Sequence, residues 1–149
     1  MNRQMSNNQI MKAFDLIRKY KIQSNAINII GVPGETESMI WDTIKLNKKA
    51  RLTSTSVNIF YPYKGTKLGD YCFEEGLVNE KFYNDFSNER RETVLNYPDN
   101  YKKKLVYFSK NWEALVYPFD LRRILLRLIR KVFAWKYLCG FKRVILSRN

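Results

Sequence analysis

Histidine is absent from this 149-residue chain, and cysteine occurs only at Cys72 and Cys139. The first absence removes the commonest general base and the commonest metal ligand. The two thiols stand 67 positions apart, which gives no zinc spacing and no Cys-x-x-Cys redox pair. They read as reduced cytosolic thiols. Long apolar runs are missing too. No window reaches the roughly 18 uncharged apolar residues of a membrane span. Residues 1–9 are polar and lack the apolar centre of a signal peptide. The expected location is cytoplasmic, with peripheral contact at the inner membrane face as an option that the tail raises. Acidic residues are scarce in that tail: residues 120–149 carry nine Lys/Arg against one acid, +8 of the formal +13. The first 119 residues keep an ordinary +5, so arguments about anionic partners belong to the tail.

A hydrophobic content of 45% with abundant aromatics indicates a folded chain of one domain or one small domain with an appendage. Ile10, Ala13, Phe14, Ile17 and Tyr20 recur at helical spacing, which predicts a helix over 9–20 capped by Ser6 or Asn7. Residues 26–30 read as a strand, and their near-continuous apolar character suits one covered on both faces. A helix is expected over 36–49, with Thr36 as cap and Met39, Ile40, Thr43, Ile44, Leu46 and Asn47 turned inward; a second strand is expected over 55–60. Strand, helix and strand over about 35 residues make a parallel βαβ unit. A helix over 66–75 should end at Gly76 in the C′ position. Between 80 and 111 the chain is polar and aromatic, with its best helix over 101–114. Two parallel strands make an incomplete sheet, so a partner chain or a longer protein is expected, and the isolated piece should be prone to aggregate.

The chemistry-bearing pattern is a pair of strand ends. Asn28-Ile29-Ile30-Gly31-Val32-Pro33-Gly34-Glu35-Thr36 stops a strand at a Gly-rich bend, and Phe60-Tyr61-Pro62-Tyr63-Lys64-Gly65-Thr66 repeats the event. Adjacent strand ends rich in Pro and Gly are where α/β proteins build ligand rims. Gly31-x-x-Gly34 is neither a Walker loop, having no Gly-Lys-Ser/Thr, nor a dinucleotide fingerprint, having no third Gly. By spacing alone it also fits a plain strand-to-helix turn, and Glu35 and Glu37 fit partners of the helix dipole.

With its flanks (Gln9-Ile10, Lys12-Ala13-Phe14, Glu37 to Ile44, Leu46-Asn47) this run resembles the C-terminal half of radical S-adenosylmethionine enzymes, in the branch that carries a cobalamin-binding domain. The likeness covers residues 1–78 and continues through Arg90-Arg91-Glu92-Thr93-Val94-Leu95. It implies the end of a partial (β/α)6 barrel over residues 1–86, holding the fifth and sixth strands, then a mostly helical extension over 87–149. It also implies that Ile30, Gly31, Val32, Pro33, Gly34 and Glu35 lie beside the adenosine of S-adenosylmethionine, with Phe60, Tyr61 and Pro62 at the adenine edge. Such enzymes modify organic substrates through a 5′-deoxyadenosyl radical, hold a [4Fe-4S] cluster on Cys-x3-Cys-x2-Cys, and in this branch are associated with cobalamin. The cysteine triad is absent here, and Lys64 stands where the family usually has Pro. The implied partner is therefore the N-terminal half of the enzyme, in the same or a separate chain, and this segment by itself is not catalytic.

A competing reading rests on residues 119–135. Leu121, Ile124, Leu125, Leu128 and Val132 share one helical face, opposite Arg122, Arg123, Arg127, Arg130 and Lys131. Such a helix can lie on an anionic membrane surface as part of a non-catalytic interaction protein, or pack on its own barrel. Nucleic acid is disfavoured: aromatics such as Tyr61, Tyr63 and those of 97–108 could stack bases, but no RNP, KH or zinc-finger pattern accompanies them.

Overall fold

The computed structural model describes residues 4–83, 89–121, 125 and 129. The chain divides into a compact unit over Met1–Val116 and a second over Tyr117–Asn149. Most of the helix expected over 119–135 lies outside the described residues. The first unit is α/β, in the order α1 (Asn7–Lys19), β1 (Asn25–Ile30), α2 (Glu37–Ala50), β2 (Ser54–Ile59), α3 (Lys67–Glu74), α4 (Glu80–Tyr83) and α5 (Asp99–Val116). Among the described residues the sheet has two strands, parallel, with Asn25 opposite Ser54 and Ile30 opposite Ile59. α5, which falls in the segment expected as the extension, packs on β2 and α2 within the first unit.

Local chemistry sets the boundaries. Ser6 opens α1 with a reciprocal capping box: its hydroxyl accepts from the Gln9 N–H while the Gln9 side chain accepts from the Ser6 N–H at 2.8 Å. Thr36 occupies the cap of α2 but makes no side-chain cap bond; its hydroxyl pairs with Ser38 Oγ at 2.9 Å instead. α2 ends on Arg51 in the left-handed region, with Lys48 and Lys49 complementing the helix dipole in its last turn. Gly76, at φ 63°, follows the Glu75 cap of α3 as expected.

Packing departs from the sequence reading in one respect. β1 is covered on one face only. Its residues alternate, with Ile30 fully buried while Ile27 and Ile29 are 68% and 44% exposed. The covered face joins Ile30 and Ile59 to Ile40 and Ile44 of α2 and to Leu105, Phe108 and Trp112 of α5. On α2 the inward stripe is Ile40, Ile44, Asn47 and Ala50, and Met39 is turned out. A second cluster of Tyr61, Cys72, Val78, Val94 and Leu95 lies under α3. Cys72 carries a free thiol there, and burial raises its pKa.

The sheet edges differ as well. Ser54 at the start of β2 and Phe60 just after its end donate to the carbonyls of Ser24 and Ile30. In a parallel ladder this directs the backbone groups of Asn25, Ile27 and Ile29 outward. On the other side the Ile59 N–H donates to the Arg90 carbonyl at 2.8 Å, which closes the end of β2.

One polar node ties the covered face together. The Thr55 hydroxyl donates to Asn47 Oδ1 at 2.9 Å, and accepts from Asn28 Nδ2 at 3.0 Å and from Trp112 Nε1 at 3.1 Å. Asn47 Nδ2 returns a bond to Asn28 Oδ1 at 2.9 Å. Buried polar groups are stable when all are satisfied. Thr55→Val keeps the shape and removes the hydroxyl, leaving the Trp112 N–H without its acceptor. Urea unfolding should register a loss of about 1–3 kcal/mol; a variant as stable as the parent would show the node to be dispensable.

Candidate functional site

The two strand ends come together at one rim. The Phe60 N–H donates to the Ile30 carbonyl at 2.7 Å, which extends the ladder past the last strand residues and holds the loops side by side. The chain then leaves β1 through two left-handed glycines, Gly31 at φ 78° and Gly34 at φ 81°. Between them the Glu35 N–H donates to the Val32 carbonyl at 3.0 Å, and Glu35 Oε2 accepts from the Gly31 N–H at 2.5 Å. The carboxylate thus closes its own loop. Burial raises the Glu35 pKa, and the Gly31 and Val32 N–H groups pull it back.

Residues far along the chain fix this loop from behind. The Tyr97 hydroxyl donates to the Gly31 carbonyl at 3.2 Å, and the Tyr101 hydroxyl donates to the Glu35 carbonyl at 2.8 Å. Their rings meet edge to face at 5.1 Å. Burial raises both hydroxyl pKa values, with the nearby Glu35 carboxylate adding to the effect. Lys104 pairs with Glu37 at 2.5 Å and lowers its pKa. Leu105 sits against Gly31 so closely that a Cβ there would lie 3.0 Å from Leu105 Cδ1.

The second loop is anchored differently. Tyr61 donates to the Tyr83 carbonyl at 2.5 Å and stacks on the Tyr83 ring at 5.3 Å. Thr66 caps α3 by accepting from the Gly69 N–H at 3.1 Å, and Asp70 Oδ1 accepts from the Gly65 N–H at 2.8 Å. Lys64 lays its ammonium 4.8 Å from the Phe73 ring centroid. These contacts hold the turn.

An open depression of about 920 Å³ lies under the rim on the uncovered side, lined by Ile29, Val32, Phe60, Thr66, Lys67, Leu68 and Tyr71. The nine residues singled out from the sequence divide in their roles. Val32 and Phe60 line the depression, and Gly34 is exposed at the loop tip with open space around it. Pro33 is half-buried in the bend. Ile30, Tyr61 and Pro62 are buried, and Gly31 and Glu35 give the loop its shape. The apolar side chain offered beside Val32 is therefore that of Ile29, one residue before Ile30. Strand parity carries that signal, since Ile30 shares the covered face with Ala26 and Asn28. Tyr97, Tyr101 and Leu105 had no local signal.

Among the described residues no group of three His, Cys, Asp or Glu side chains is placed to hold a metal ion, and no described helix is long and apolar enough to cross a membrane. No protein-family model matches the chain, and no curated protein matches it.

Two outcomes test the loop. Ala at Gly34 meets only the left-handed backbone penalty of about 1–2 kcal/mol, whereas Ala at Gly31 must also displace Leu105 and should cost about 1 kcal/mol more. Equal losses in parallel urea titrations would contradict the buttress. The raised Glu35 pKa has a pH signature. In the folded state the carboxyl keeps its proton to higher pH than when unfolded, so its contribution to stability falls as pH rises from about 4.3, the ordinary glutamate value. Glu35→Gln should remove that decline, so that the stability of the parent relative to the variant drops as the pH rises from about 4.3 and then levels off once the folded-state carboxyl has also ionised. A difference independent of pH would assign Glu35 no such role.

Proposed function

We propose that this chain is the C-terminal segment of a radical S-adenosylmethionine enzyme of the cobalamin-binding branch, and that its two strand-end loops position the adenosine of the cofactor. The observation that carries the reading is the pairing of the loops through Phe60 N–H and the Ile30 carbonyl, above an apolar depression on the uncovered side of the sheet. A nucleoside fits what is present. Gly34, exposed with open space around it, lets backbone approach without a side chain, and Gly31 shapes the loop behind it. Ile29, Val32 and Phe60 offer apolar surface to a flat base, and the Lys67 and Thr66 side chains stand at the border. Bound S-adenosylmethionine supplies the radical chemistry of such enzymes, while the residues of this chain bind and orient it.

The cluster does not fit this chain. Cys72 is buried and Cys139 is the only other cysteine, so the cluster ligands, and any cobalamin, belong to the partner half. The open face and the outward backbone of β1 support such a partner. A sheet with exposed Ile27 and Ile29 and a free edge is stable when another strand covers it. Modification of an organic substrate would then be a property of the reassembled enzyme.

The test is a protein-detected NMR titration of the full chain with S-adenosylhomocysteine, which has the nucleoside and lacks the reactive sulfonium. Shifts confined to the amides of Gly31, Val32, Gly34, Glu35, Phe60 and Tyr61 are expected. Saturation with no response at these amides, or a response centred elsewhere, would overturn the reading.

A further inference from the structure

A second, smaller cavity of about 280 Å³ adjoins the depression and shares Ile29, Phe60 and Thr66 with it; its remaining lining is Asn58, Ile59, Tyr61, Tyr63 and Arg90. Its walls are mostly apolar, and two side chains bring hydrogen-bond donors without acceptors. Asn58 stands opposite Ile29 in the ladder, on the uncovered face. Among the described residues its amide meets no partner, and the terminal guanidinium nitrogens of Arg90 meet none either.

Arg90 is held in place from several directions. Its backbone is left-handed, at φ 64°, although it is not glycine. Its carbonyl accepts the Ile59 N–H at 2.8 Å, so the strain is retained by the sheet edge. Its Nε donates to the Tyr63 hydroxyl at 2.9 Å, and the guanidinium lies 5.8 Å from the Tyr63 ring centroid. Tyr63 in turn donates to Glu89, whose carboxylate is 3.4 Å from Arg90 Nε. The Nε edge of the fork is thus occupied, and among the described residues the far edge meets no acceptor. The Arg90 side chain is 58% exposed, so nothing in the core requires this arrangement.

We propose that this cavity binds a small organic monocarboxylate, with its apolar body on Ile29 and Phe60 and its carboxylate shared by the Arg90 guanidinium and the Asn58 amide. The planar fork of an arginine matches a carboxylate, and an adjacent amide can take one further lone pair. Glu89 offsets part of the local positive charge, which suits a single negative charge and disfavours a phosphate dianion. The volume holds a ligand of roughly ten to fifteen heavy atoms, at the small end of binding cavities. This site shares Ile29, Phe60 and Thr66 with the depression, so a nucleoside and this ligand would compete for them. Its test needs no partner half and reads the preference for acid over amide that Arg90 confers.

The experiment uses the full chain, NMR titration, and two probes of one shape, 3-phenylpropanoate and its neutral amide. The carboxylate should bind about tenfold more tightly than the amide or better, as a charge-assisted pair predicts. Arg90→Gln should remove that preference while circular dichroism stays native, because the bond to Ile59 uses the Arg90 backbone. Asn58→Ala should weaken the carboxylate a few-fold, and Glu89→Gln should tighten it. Equal affinity for acid and amide would overturn the proposal, as would an Arg90→Gln chain that binds the acid like the parent. No shift at Asn58 and Arg90 up to about 10 mM acid, a range in which even weak fragments are detected, would also overturn it. If Arg90→Gln does not fold, the Asn58 and Glu89 variants decide the outcome by the same signs.

Discussion

The hydroxyl of Thr55 is the interaction on which the first unit depends. A one-residue slip would turn the buried face of two parallel strands outward, but a two-residue slip keeps the same face inward. The apolar pattern alone therefore does not fix their alignment. Here a single oxygen on β2 is bonded to Asn28 on β1, Asn47 on α2 and Trp112 on α5. Four elements meet at one atom, and a slip of either strand would leave several buried polar groups unsatisfied. Around it Ile30, Ile40, Ile44, Ile59, Leu105 and Phe108 supply the bulk of the apolar burial. The apolar contacts give the layer its cohesion, and the polar node gives it a single alignment.

With that alignment fixed, Ile30 and Ile59 end at the same level, and the loops that follow them are forced together. The rim is then shaped from two sides. Glu35 closes the first loop within its own sequence, while Tyr97, Tyr101 and Leu105 press it from α5 and the segment just before. The second loop leans on the separate cluster of Tyr61, Cys72 and Leu95. A firm back and an open front follow from the same arrangement: α5 packs on β2 at the face where Ile30 and Ile59 are buried, and the exposed Ile27 and Ile29 are on the other.

Much of this was legible in the sequence where the governing physics is local. The cap expected at Ser6 or Asn7, the apolar period of α2 and Gly76 after α3 placed helix ends within a residue or two. The Pro and Gly at two strand ends marked the rim. Burial was read less well, because it depends on what lies across the layer. The run Ala26 to Ile30 suggested cover on both faces, yet Ile27 and Ile29 face outward. The same parity moves Ile30 from the ligand side to the core and brings Ile29 forward. Tyr97 and Tyr101 stand 66 residues from the carbonyls they bind, and no periodicity reports a contact of that separation. Arg90 stood in the sequence only as the start of the run to Leu95 that continues the likeness; its left-handed backbone and its hold on β2 are tertiary facts.

The distant buttress also sets a timetable. A loop whose carbonyls are bound by hydroxyls 66 positions later cannot take its final shape while the ribosome is still delivering the intervening chain. At about 5–20 residues per second, Gly31 to Glu35 emerges several seconds before Tyr97 and Tyr101 can reach it. During that interval the glycines are free to sample other bends, and non-local closure is the slow class of contact. The rim thus waits for the same distant segment as the core beneath the sheet, which Leu105, Phe108 and Trp112 of α5 complete.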